Sequence, residues 1–182
     1  MRASSIIAVA AMGFVALSAC RQDAAVEPLD IRATMQDRVN PAMLAIWDVG
    51  NNALNDEGGI DPALMDDAKW TQVAESADKI SAAAKDMAEA TAFIAGGPGK
   101  TAVAEGEITM AAVQQHVDAD PDGLRQMAAA FGDHAGRIAA AARAKDAKVA
   151  GDLISGMDGV CESCHLEFWY PEQKELLEQA GG

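Results

Sequence analysis

Hydrophobic positions recur at three-and-four spacing through most of the chain, the period of an amphipathic helix rather than of a strand. One stripe runs through Trp70, Val73, Ala77, Ile80, Ala84, Met87 and Ile94, with Asp66 or Asp67 placed to cap it and Gly96-Gly97-Pro98-Gly99 to stop it. A second, formed by Leu124, Met127, Phe131, Ile138 and Ala142, begins after the turn-forming "DADPDG". A third joins Val149, Leu153, Met157, Cys161, Cys164 and Phe168, and Pro171 ends it. That register turns both cysteines toward a core.

Residues 29–54 are helical in pattern too, but "VNPAM" interrupts them. Pro41 has no N–H and its ring crowds the preceding turn, so it either kinks one long helix or starts a second with Asn40 as cap. A kinked or two-piece first helix, the three stripes and one long connection from Gly96 to Asp120 describe an all-α, antiparallel four-helix bundle. The connection has room for a short helix at "EITMAAVQQHV". Residues 29–171 therefore read as the bundle, and 172–182 as a tail that is either a short amphipathic helix or frayed.

The N-terminus follows a different pattern. One arginine precedes an apolar run from Ile6 to Leu17, the length of a secretory h-region and too short to span a bilayer. The run ends in "LSAC", Leu17 to Cys20, which resembles the lipobox of bacterial lipoproteins. The resemblance implies a signal peptide over residues 1–19, a lipid on Cys20 and a linker over residues 20–28. An ordinary signal peptide cut near Ala19 is the alternative, and both readings export the protein. Membrane anchoring at a periplasmic face follows from the first alone.

What remains after cleavage suffices for one domain with a real core and scarcely for two. The whole chain carries a formal charge of −14, and the leader would remove only Arg2 and no acid. Such a surface repels nucleic acid and anionic headgroups, so membrane contact is expected through the lipid only. It suits a partner protein with a basic docking face.

The chemistry-bearing segment is "GVCESCHLEFWYP", residues 159–171. Chance supplies a Cys-x-x-Cys-His about once in a thousand chains of this composition. Structural zinc needs four ligands, and beyond Cys161, Cys164 and His165 the sequence offers only His116 and His134 as further histidines. A thioredoxin-type dithiol sits at a helix N-terminus after a strand, whereas this pair stands near the end of a helical pattern. Haem attachment uses all three residues: cysteines at i and i+3 share a face and can form thioethers to two vinyl groups, and the next histidine offers its imidazole to iron. An exported location is also where c-type haem is attached.

Small class I cytochromes carry this motif near the N-terminus, with a methionine far downstream. Here it stands on the last of four helices, and the stretch "FGDHAGRIAAAARAKDAKVAGDLISGMDGVCESCHLEF" resembles the last two helices of class II c-type cytochromes, the cytochrome c-prime type. The resemblance is specific there and architectural over residues 29–170. It implies haem c held by Cys161 and Cys164, with His165 as proximal iron ligand. It also implies that the first helix decides the opposite axial position, a methionine there giving an electron carrier and an apolar residue an iron open to small gases. Met35 and Met43 both compete with plain core packing for that role. Met35 follows Arg32 closely, as in low-spin members of the family, and is preferred. One departure is Trp169, where the family often has a basic residue near the proximal imidazole.

The remaining large side chains have simpler readings. Trp47, Trp70, Phe131 and Phe168 are expected as core and haem-packing groups, His134 as a satisfied interfacial histidine and His116 as solvent-facing. No Ser-His-Asp order, phosphate loop or paired acid motif points to an enzyme. The leading expectation is a periplasmic single-electron carrier; the alternative is a five-coordinate protein that binds nitric oxide or carbon monoxide, and a third is a sensor or accessory subunit that uses the haem structurally. Family members often dimerise through their first two helices, which leaves a homodimer open.

Overall fold

The computed structural model describes residues 27–104 and 106–180. Cys20 and the lipobox expected around it lie outside the described residues. A two-residue strand β1, Leu29–Asp30, leads into α1, Ile31–Thr34, a π-helical turn, Met35–Val39, and α2, Asn40–Asn51. These three pieces form one continuous first helix. A 3₁₀ turn, Pro62–Leu64, precedes α3, Asp67–Glu89, and a second short strand, β2, Phe93–Ile94, follows it. The remainder is α4, Met110–Ala119, α5, Pro121–Arg143, α6, Ala147–Phe168, and α7, Pro171–Ala180.

The first helix, α3, α5 and α6 make the expected bundle. Helices α3 and α5 lie closest because their facing residues are small: Ala77, Ala83 and Ala84 meet Ala135, Ala139 and Ala142, all fully buried. At Gly132 a Cβ would stand 3.3 Å from that of Ala84, and the Ser81 hydroxyl donates to the Gly132 carbonyl at 3.0 Å. Small contact residues of this kind bring helix axes together. Asp66, Asp120 and Asp146 cap α3, α5 and α6 through side-chain bonds to the amides of Lys69, Gly123 and Val149.

Pro41 produces a π turn, and Asn40 does not cap a second helix. Asn40 has helical torsions, and its amide reaches back to the Met35 carbonyl, five residues away. The wide turn directly before Pro41 relieves the clash that a proline ring imposes on an α-helical turn. The expected end of α3 also changes. The helix stops at Glu89, and Ile94 leaves its stripe to pair in parallel with β1, in the register Leu29 with Phe93 and Asp30 with Ile94. Arg125 explains the early stop: its guanidinium donates to the carbonyls of Ala90 (2.8 Å) and Thr91 (3.2 Å) and stacks over Phe93 at 5.2 Å. A cation there satisfies free carbonyls and suits the negative end of the helix dipole.

Val149 is a further correction. It is 42% exposed, because it lies in the first turn of α6, and the buried row runs instead through Ala150, Leu153, Ile154 and Met157. The long connection does hold a short helix, α4, and the tail is helical as α7.

The core falls into two clusters. The larger fills the bundle between the first helix, α3, α5 and α6. The smaller closes one end, where Ile31, Met87, Phe93, Leu124, Phe168 and Trp169 pack beneath Met110, Val113 and Val117 of α4.

Candidate functional site

A cavity of about 430 Å³ opens where these two clusters meet. This volume lies within the range of ligand sites. One wall is α6 and its end, with Cys161, Cys164, His165, Trp169 and Tyr170; facing it on the first helix are Arg32, Met35, Met43 and Trp47. Leu124, Ala128 and Phe131 of α5 form an apolar wall between them. Cys161, Cys164 and His165 are thus brought together at one opening, the two thiols half-buried and the imidazole more exposed, none of them lost in the core.

The two candidate methionines differ in environment. Met43 is 4% exposed and belongs to the larger cluster. Met35 is half-buried and packs against both clusters, at the seam where the cavity lies. Cys161 borders the larger cluster and Cys164 the smaller, so the same seam runs across the cysteine pair.

Electrostatics in the cavity are set by few groups. Burial pushes the His165 pKa down, and Glu107 offsets this only in part, so the imidazole is held in its neutral, ligand-competent form at neutral pH. Burial raises both thiols, with Asp158 adding to the rise at Cys161; Cys164 is pushed up to about 12, with Cys161 and Glu167 adding to the effect of burial. A redox dithiol requires the opposite shift. Trp169, in the place where a basic residue was expected, is buried and stands 6.3 Å from the His165 ring at 51°, and Tyr170 lies edge-on to it at 6.0 Å.

The charged pair at the cavity is Arg32 and Glu107. Two guanidinium nitrogens donate to the two carboxylate oxygens at 3.3 and 3.1 Å, and both side chains are 12% exposed. Burial works against the Glu107 anion, but the Ala104 amide, Arg32 and His165 outweigh it and hold the carboxyl below its usual range.

The other sequence candidates sort themselves. His134 is turned away from the cavity and donates from Nε2 to the Leu153 carbonyl at 2.7 Å, which ties α5 to α6. His116 is exposed on α4. Trp47 and Phe131 line the cavity, whereas Trp70 and Phe168 are core residues away from its lining. Glu107 and Met127 were missed. Glu107 lies in irregular chain, where no periodicity marks it, and only the topology brings it beside Arg32.

Two half-buried thiols one turn apart with an imidazole beside them, at the edge of an apolar cavity, are a donor set and surroundings that fit a covalently bound haem, and a methionine stands on the facing wall. Among the described residues, no three His, Cys, Asp or Glu side chains converge as an alternative metal site. The family model for cytochrome c′ matches residues 55–169. The chain belongs to the cytochrome c′ family. It is a haem-binding c-type cytochrome, and its cofactor is covalently attached haem c with iron. The cytochrome c′ match spans α3 to α6 and stops short of the first helix, so it does not bear on Met35 or Met43. No curated protein and no solved structure matches the chain.

Proposed function

We propose that Cys161 and Cys164 hold the haem through thioethers, that His165 and Met35 are the proximal and distal iron ligands, and that the protein is a periplasmic single-electron carrier. The observation that carries this reading is the position of Met35, half-buried at the seam between the core clusters and facing the wall that carries His165. When bound, haem supplies a single iron that alternates between two oxidation states. The chain's part is to hold one ligand on each side in both states, which limits rearrangement on transfer, and to exclude water with Leu124, Phe131 and Trp169.

The acidic surface fits a redox partner with a basic docking face, which electrostatic attraction would steer into contact. Export and a lipid on Cys20 would hold the protein at a membrane without a spanning segment. Among the described residues no helix is long and apolar enough to cross one.

The test is carbon monoxide added to the purified ferrous protein. A methionine already in the distal position must leave first, so binding is slow and incomplete. Rapid, stoichiometric binding would replace the carrier with the gas-binding reading.

A further inference from the structure

We infer that Glu107 is a positioning residue for the distal side of the haem site: by gripping Arg32 it holds the first helical turn in the orientation that presents Met35 to the cavity. The inference rests on Met35 being the distal ligand, and deepens that reading.

The turn that must be held is α1, four residues followed at once by the π turn that starts at Met35. It is the N-terminal end of the first helix, joined to α2 only through the wide π turn, so its direction depends on what surrounds it as well as on the helix behind it. Its backbone is tied on one side. The Leu29 amide donates to the Ala92 carbonyl at 2.9 Å, the Arg32 amide to the Ala95 carbonyl at 3.1 Å, and the Gly97 amide to Asp30 at 2.8 Å. Asp30 also caps the turn through the Ala33 amide at 2.9 Å. Beyond Met35, Lys100 reaches Asp37 at 2.9 Å.

Apart from the Asp30 cap, these ties reach the connection between α3 and α4 and act on the backbone or on its outer face. One further tie to that connection enters the cavity. Arg32 stands one turn before Met35, on the same face. Its guanidinium is locked by the two bonds to Glu107, with Met110 Sδ at 3.4 Å from the same group. Glu107 is fixed in turn by the Ala104 amide at 2.7 Å. The carboxylate is therefore a rigid anchor and not a mobile surface charge. Without it, Arg32 would be an unpaired and nearly buried cation against an apolar cavity, a costly state that swinging toward water relieves. Moving Arg32 moves the turn that carries Met35.

The experiment uses the purified holoprotein and two readouts: the weak far-red band of ferric methionine ligation and the rate at which the ferrous protein takes up carbon monoxide. Glu107→Gln keeps the size and removes the charge. It is expected to weaken the band and to raise carbon monoxide uptake about tenfold, the equivalent of ~1.4 kcal/mol in the methionine-bound population. Haem content and helicity should be retained. Asp78→Asn removes an exposed pair with Arg143 on the outside of α3 and α5, and should change neither readout. If Glu107→Gln loads haem poorly, the double variant Arg32→Gln with Glu107→Gln removes the stranded cation as well, and should still show the weakened band. An unchanged band and uptake rate in these variants, while Met35→Leu abolishes the band, would overturn the positioning role alone. A band that survives Met35→Leu overturns the ligand assignment and this inference with it.

Discussion

At the scale of single residues, the motif and its setting answer different questions. Cys161, Cys164 and His165 are adjacent in sequence and could be read as a unit, because their i, i+3 and i+4 offsets place them on one helix face whatever the rest of the chain does. In the proposed attachment each thioether is a separate covalent bond. Cys161→Ser and Cys164→Ser are each expected to retain some haem through the remaining cysteine, and the double variant none, as checked by haem-stained denaturing gels. Haem that survived denaturation in the double variant would refute the attachment assignment. Trp169 and Glu107 could not be read in this way. Trp169 was visible as a departure, but only the structure places its ring beside the imidazole; Glu107 carries no periodic signal and depends on a contact 75 residues away in sequence.

Elements were legible where burial and capping agreed. Asp66 stands before the first apolar stripe and caps α3, and α5 begins within the turn-forming "DADPDG", capped by Asp120. The failures have tertiary causes. Ile94 keeps the helical spacing, but Arg125 takes the carbonyls that would have continued α3, and β1 captures the chain. Asn40 looked like a cap, yet the π turn absorbs Pro41 without ending the helix. Packing around α6 makes a paired prediction. At Gly151 a Cβ would lie 3.1 Å from the Ile60 amide nitrogen, and that backbone is pinned by bonds from the Asn55 amide to the Gly59 carbonyl and from the Asp61 amide to the Ala53 carbonyl. Overpacking against backbone costs about 1–3 kcal/mol, more than the ~1 kcal/mol a helix gains on replacing glycine by alanine. Gly159 has nothing within 4 Å. In urea denaturation, Gly151→Ala is expected to be less stable than the parent by about 1 kcal/mol and Gly159→Ala more stable by up to ~1 kcal/mol. The reverse order would contradict the packing described.

For the whole molecule, the bundle leaves its candidate haem cavity at a seam. Alanine-rich faces close α3 on α5, while α4 and the paired strands plug the end near His165; the space left between is bordered by Met35, Cys161 and Cys164. The all-α class and the last bundle helix with its cysteine pair could be read from periodicity and motif. The plug could not, since it assembles from a connection without a continuous pattern. That plug is also what governs the first helix, the one bundle helix outside the family match. The central claim, a methionine from that helix opposite His165, is tested most directly by the ferric absorption spectrum of the wild-type holoprotein beside Met35→Leu and Met43→Leu. The account predicts a low-spin spectrum with the weak far-red methionine band, lost in Met35→Leu and kept in Met43→Leu. A high-spin wild-type spectrum, or a band lost only in Met43→Leu, would contradict it.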